Sequence, residues 1–328
     1  MINTFILLAK THFLARNAAR LSGKTAICLL VLCFSFSVGG NVFAQDAELV
    51  RNIIASSFSM ENMKQALVTE FEDRPGDFVA AIDGLDDKND LDPEVRKMLQ
   101  DTLNELFGQE DYLAFVSSYS ETSGTGVRKI MAGALKNNNA LILSLQEDPQ
   151  PVLTLLENEA RSMSAVRTLG ELLSAGQIQA AGPVIQSKLQ LPQLDAGTRY
   201  YLEIGSVRLG NLETLEKYAA MLGSTHITDI NHALNIFAKS GSTKVMKYLI
   251  PWLDRTDSPD VSVGEDAIFA RIVPFRYADV AVHFANHFRA GNTGPISLEG
   301  LALLSYSNED ILETRQWWET VKDTDPYQ

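Results

Sequence analysis

Cysteine is almost absent from this chain. The two present, Cys28 and Cys33, both lie within the first 44 residues. From Gln45 onward there can be no disulfide, no thiolate nucleophile and no cysteine-bound metal. Histidine is nearly as scarce, with five in 328 residues, which leaves few bases for proton transfer. No G-x-S-x-G phrase, glycine-rich phosphate loop or dinucleotide fingerprint occurs, so the signatures of nucleophilic hydrolysis and nucleotide chemistry are missing. Paired carboxylates cannot be picked out, because the many acids favour no spacing. On these grounds the chain is not expected to be an enzyme and is expected to need no cofactor. Cations are also in deficit, 28 against 41 acids. That balance repels nucleic acid, and because the acids are spread along the chain it reads as a well-solvated surface.

The first 44 residues are organised as a leader. Lys10, Arg16, Arg20 and Lys24 stand there without an acid, followed by the apolar run "TAICLLVLCFSFSV" and then "GGNVFA". This is the layout of a signal peptide, with Val42 and Ala44 at the −3 and −1 positions and Gln45 as the expected first mature residue. The run of 14 residues falls short of the ~20 that span a bilayer, so no stable membrane insertion is expected after cleavage. Leu32 before Cys33 argues against a lipoprotein site. Removing four cations and no acid leaves 24 cations against 41 acids. A periplasmic or secreted location follows as an expectation.

Beyond the leader, amphipathic stretches follow one another, among them "DPEVRKMLQDTLNELFG", "AVRTLGELLSA", "NLETLEKYAAMLG" and "DINHALNIFAKSG". Their apolar residues recur every three or four positions, the helical period, and strand-like alternation is nowhere sustained. Asp92 followed by Pro93 opens one helix, while Gly108, Gly176, Gly210 and Gly241 sit where helices should stop. Around the last three the phrase is the same: helix, tight turn, helix, at intervals of 34 and 31 residues. Units of that length with two helices each cannot bury their apolar faces alone, so they stack. The fold class expected is all-α, an α-solenoid of stacked antiparallel helical hairpins. Its divisions are a leader at 1–44, degenerate repeats at 45–160, central repeats at 161–254, a polar loop at 255–266 and C-terminal hairpins with a capping helix at 267–328.

"SAVRTLGELLSAGQIQAAGPVIQSKL", with Val166-Arg167 and Leu169-Gly170, resembles the short bacterial HEAT repeat. "DAIFARIVPFRYADVAVHFANHF" and "NEDILETRQWWETVK" look like the closing units of such proteins. The resemblance covers about residues 160 to 323 and departs from the pattern in lacking regular arginines. Tetratricopeptide repeats share the period, but their Trp, Leu-Gly and Tyr positions are not found together. A HEAT-like reading implies a binding scaffold whose second helices line a wall for a partner, here another envelope or secreted protein. The alternative is an envelope enzyme, or a subunit of one, acting on glycan or peptide.

Three local features invite sharper readings. The acidic run 83–94 has no register that supplies an EF-hand's ligands together with its sixth-position glycine, so it reads as a solvated turn ending in the cap Asp92. In "NEDILETRQWWETVKD", Ile311, Trp318 and Val321 share a stripe, with Trp317 on its margin as a lid over the last unit. In "ADVAVHFANHF", Ala281, Phe284, Ala285 and Phe288 form an apolar face, and Asp279, His283, Asn286 and His287 lie opposite. Phe284 stands where the glutamate of H-E-x-x-H would be, so no metal site is expected. Those four polar residues, with Trp317, are the expected partner contacts.

Overall fold

The computed structural model describes residues 45–55, 59–85, 91–108, 112–122, 124–138, 145–258, 275–324 and 327. The leader at 1–44, residues 86–90 of the acidic run at 83–94 and residues 259–266 of the loop at 255–266 lie outside these residues. Among the described residues there is no strand, and no helix is long and apolar enough to cross a membrane. The chain is all-α and divides into two compact units. The first comprises Met1–Gly108 with Ser117–Ile130, and the second Gln109–Val116 with Met131–Gln328.

In the first unit, helices α1 (Met60–Phe71), α2 (Pro75–Asp83) and α3 (Pro93–Phe107) pack around Leu67, Phe71, Phe78, Ile82, Leu99 and Leu103, all fully buried. Phe71 meets Phe78 at 5.1 Å between ring centroids. Ser59 caps α1 and Asp92 caps α3, each accepting a backbone N–H of the first turn. Arg74, just before α2, holds the helical stretch 45–55 through Asp46 at 3.0 Å. Two more helices follow, α4 (Tyr112–Glu121) and α5 (Thr125–Asn137).

The second unit is a run of hairpins. It opens with α6 (Gln150–Asn158). The first hairpin pairs α7 (Met163–Ala175) with α8 (Ala181–Leu189), and the second pairs α9 (Ala196–Arg208) with α10 (Leu212–Met221). The third pairs α11 (Ile227–Ser240) with the segment Thr243–Asp254. Ser162, Asp195 and Asn211 cap α7, α9 and α10 with side-chain oxygens. The first helices pack directly on one another, α7 on α9 and α9 on α11, while each second helix packs against the first helix of the next unit, and α8 and α10 also against that of their own hairpin. Nearest-neighbour packing of this kind is what a helical-repeat array requires.

Close approach of α7 and α9 depends on two glycines. A Cβ on Gly170 would lie 2.5 Å from Leu202 Cδ2, and one on Gly205 would lie 3.0 Å from Ser174 Oγ. Cationic side chains then tie hairpin to hairpin by donating to the unsatisfied carbonyls at helix C-termini, where positive charge is also favoured by the helix dipole. Lys188 Nζ reaches Glu157 O and Glu159 O at 2.8 Å. Arg199 reaches Leu189 O, and Arg208 reaches Lys239 O and Ser240 O, all at 2.9 Å. A buried polar triangle, Gln186 with Ser206 and Thr214, joins α8, α9 and α10.

Two local details differ from the sequence expectation. Gly176 does not take the left-handed conformation; it has φ −72°, and Gln177 carries φ 56°. The cause is register. Gly176 is the C-cap itself, the left-handed position falls on the next residue, and the Schellman bonds are made by Gln177 to Ser174 O and Ile178 to Leu173 O. Gly210 and Gly291 occupy the equivalent place in later helices, with φ 74° each and the same pair of bonds. Secondly, the helix expected after the turn at Gly241, "TKVMKYLIPWL", is not one α-helix. A 3-10 turn at Thr243–Val245 leads into a short α12 (Met246–Leu249) and another 3-10 turn at Ile250–Asp254. Pro251 has no N–H to give and its ring crowds the carbonyl of Lys247, so the α-register cannot continue.

Candidate functional site

The helix that carries the histidine pair, α13 (Tyr277–Arg289), is followed by a 3-10 turn at Leu301–Leu303 and by α14 (Asn308–Val321). Its apolar face is as expected: Ala281, Phe284, Ala285 and Phe288 are all buried. The opposite face is not open. The chain from 292 to 306 returns across it, with Ile296 N donating to Ala238 O at 2.8 Å. Asp279 is only 3% exposed. It accepts from Arg276 Nε at 2.9 Å, from Arg276 Nη2, and from the Tyr306 backbone N–H at 3.0 Å. Arg276 Nη2 also donates to Tyr306 O at 2.7 Å. The hydrogen bond to Asp279 holds the Arg276 guanidinium above its ordinary pKa.

His283 Nε2 lies 2.8 Å from Ser297 O, and its Nδ1 lies 3.5 Å from the Tyr306 hydroxyl. Asn286 Oδ1 accepts from Arg289 at 3.4 Å. His287 is half-buried, and its Nε2 is enclosed with no hydrogen-bond partner among the described residues. The reading of this stripe as a surface that does not pack is therefore corrected. A helical wheel separates polar from apolar faces, but it cannot show that a later segment folds over the polar one. Trp317 and Trp318 are both half-buried against the core, with Tyr327 edge-on to each at 5.6 and 5.9 Å. Among the described residues no three of His, Cys, Asp and Glu are grouped so as to hold a metal ion.

A more open constellation lies on the stacked first helices. The Arg167 guanidinium on α7 sits 3.4 Å from the ring centre of Tyr201 on α9. Tyr201 meets Tyr200 at 5.5 Å, and Tyr200 meets His232 on α11 at 5.9 Å. Lys239, two turns further along α11, places Nζ 5.0 Å from the Tyr200 ring. At the α7 end, Glu171 accepts from Arg167 Nε at 2.8 Å and pairs with Lys136. Beside the strip, Arg208 keeps its carbonyl bonds while burial pushes its pKa down, an effect that nearby Glu171 opposes. Each member reaches the surface: Arg167, Tyr200 and Tyr201 in part, His232 and Lys239 openly.

Beneath the strip sits a buried carboxylate. Glu203, 6% exposed, accepts from the Tyr218 hydroxyl and from Lys217 Nζ, both at 2.5 Å. Burial, and then the bond to Glu203, push the Tyr218 phenol well above its ordinary pKa. Tyr218 remains a neutral donor, and its ring lies 5.5 Å from His232. The sequence reading missed this strip. One signal was present: Arg167 and Tyr200 each stand five residues after their caps Ser162 and Asp195, and His232 stands six after His226. Equivalent positions of stacked repeats fall side by side.

Fold and site together define a helical-repeat protein with a polar, aromatic face along its first helices. No family model and no curated protein matches the chain. Among solved structures it resembles the complex of CpcE and CpcF of phycocyanin lyase from Nostoc sp. PCC7120. That match has 14% identity over 83% of this chain and 92% of the other, with a TM-score of 0.36. So distant a likeness carries no argument about substrate or partner. The expectation that the chain is not an enzyme is withdrawn: that neighbour is the structure of a lyase complex, and missing motifs by themselves do not exclude catalysis.

Proposed function

We propose that the protein is an exported helical-repeat scaffold of the HEAT-like kind, which holds another protein of the bacterial envelope against the surface of its first helices. One observation carries the reading. The first helices α7, α9 and α11 pack side by side and present a continuous row of partly exposed side chains, Arg167, Tyr201, Tyr200 and His232. Tyrosine and arginine are the residues enriched where proteins meet. The contact is moved from second helices to first helices, because the first helices pack on one another most extensively from repeat to repeat. The partly exposed Asn286, His287 and Trp317 form a secondary contact area, whereas Asp279 and His283 are engaged inside the fold. The location rests on the leader, whose cationic, apolar and small-residue parts follow the order of a signal peptide.

The test is crosslinking followed by pull-down of the protein from native envelope extract. A specific protein recovered with crosslinks to α7, α9 or α11 supports the reading, and recovery of nothing but the protein itself under several conditions refutes it. A second reading, a subunit of an envelope enzyme acting on glycan or peptide, is favoured by the buried Glu203 with its Tyr218 and Lys217 partners. Turnover by the recovered complex that disappears in Glu203→Gln, with the complex still formed, would support that version.

A further inference from the structure

Nearly every polar group on the first-helix strip that is left without a partner is a hydrogen-bond donor. Arg167 uses Nε for Glu171, and among the described residues its two Nη atoms have no hydrogen-bond partner. The same holds for the hydroxyls of Tyr200 and Tyr201 and for Lys239 Nζ, which lies over the Tyr200 ring. The charge balance is local as well. Lys136 and Arg167 pair with the Glu171 carboxylate, Arg208 feels the same charge, and Lys239 stands further along the strip over the Tyr200 ring, in a chain that carries 41 acids against 28 cations. A cationic face on an acidic protein is the opposite of what composition supplies by default.

We propose that this strip takes an Asp/Glu-rich segment of the partner protein, carboxylates seated on Arg167, the two tyrosine hydroxyls and Lys239; the inference rests on the scaffold reading and deepens it. The geometry suits carboxylate. With its guanidinium 3.4 Å from the Tyr201 ring centre and Nε engaged by Glu171, Arg167 retains two Nη groups, the fork that matches two carboxylate oxygens. Tyrosine rings supply flat apolar area beside the charges at low entropic cost. Long polyanions are disfavoured because the rest of the chain repels them at range, whereas a short acidic segment feels mainly the local field within a Debye length of about 8 to 10 Å.

The experiment measures binding of a labelled twelve-residue polyglutamate peptide to the purified protein, with a polyglutamine peptide of equal length for comparison. The glutamate peptide is expected to bind at least tenfold more tightly and to weaken between 0.05 and 0.5 M salt. Arg167→Glu with Lys239→Glu should weaken it by about tenfold or more, since each reversal replaces an attraction by a repulsion. Tyr200→Phe with Tyr201→Phe, which removes only hydroxyls and keeps the packing, should weaken it several-fold. Unchanged melting temperature in both variants shows that the fold is intact. Equal binding of the two peptides overturns the proposal, as does binding indifferent to the charge reversal. Equally tight capture of single-stranded DNA or anionic vesicles through the same residues overturns it too. If the envelope partner is recovered as well by the charge-reversed protein as by the original, the scaffold reading stands and this inference fails.

Discussion

Replacing Asp279 discriminates sharply between a polar stripe that faces a partner and one that holds the fold together. Asp279 receives two donors from Arg276 and the backbone N–H of Tyr306, and it is 3% exposed. In Asp279→Ala the pairing with Arg276, whose side chain is 27% exposed, is lost. Hydrogen bonds to a charged group contribute about 1.5–3 kcal/mol; with one partner partly solvated, about 2 kcal/mol is the reasonable share. The orphaned Tyr306 N–H adds about 1 kcal/mol. The sum, about 3 kcal/mol, lies at the lower edge of what breaking a buried pair costs. Asp279→Asn keeps an acceptor for one donor and should cost about half as much.

Urea unfolding followed by tryptophan fluorescence is the assay. All three tryptophans report on this end of the array: Trp252 packs edge-on against Tyr277 at 4.7 Å, and Trp317 and Trp318 lie on α14. Because repeat arrays can lose cooperativity, the expected sign is an early transition of the last hairpin. A cycle with Arg276→Ala should show a coupling energy of about 1–2 kcal/mol. If Asp279→Ala leaves the tryptophan transition within about 0.5 kcal/mol of the original, and the coupling is nil, the ion pair is not structural and the outward-facing reading of the stripe returns.

Other consequences follow from single positions. Gln177 pays for a left-handed φ of 56° that costs a side chain roughly 1–2 kcal/mol; Gln177→Gly should raise stability by about 0.5–1 kcal/mol after glycine's entropy is subtracted, seen as a higher melting temperature. Gly170→Val drives a branched side chain into Leu202, whose Cδ2 would already lie 2.5 Å from a Cβ; a loss of about 2–3 kcal/mol is expected, measured as a lower urea midpoint, and an unchanged midpoint would mean that α7 and α9 do not cross there. The Asp195 carboxylate is held below its ordinary pKa by the backbone N–H and hydroxyl of Thr198. A folded pKa below the unfolded one means stabilisation that is complete above about pH 4 and lost as pH falls through the folded value. Amide exchange at Thr198 should therefore speed up in acid, and Asp195→Asn, which keeps a cap without the charge, should flatten that dependence.

Most of the helical layout was legible in the sequence because its causes are local. Apolar spacing, capping residues such as Ser162 and Asp195, and glycine turns act over a few residues, so a period near 30 residues with two helices per unit could be read directly. Gln177 is not marked by composition: a glycine stands beside it, whereas the left-handed position falls one residue after that glycine. Pro251 was visible, yet its effect on the second helix of the third hairpin was underweighted. The packing of the histidine-bearing stripe was not legible for a different reason. On a helical wheel Asp279 and His283 do face away from Phe284, but the wheel holds no information on what the chain from 292 to 306 does. Conversely, Arg167, Tyr200 and His232 stand more than thirty residues apart, and nothing in any one helix marks them as neighbours.

By itself the sequence determined the class: periodic apolar residues force amphipathic helices, and units too short to bury their own faces force stacking. It also carried the leader-like opening and the exclusion of cysteine chemistry beyond it. Tertiary structure alone decided which polar groups are used up and which are left over. Asp279 became an interior ion pair because Arg276 and Tyr306 converge on it. The first-helix strip kept its free donors because glycines at 170 and 205 draw α7 against α9, setting Arg167 over Tyr201. A side chain's chemistry is written locally, but its availability is a property of what packs against it.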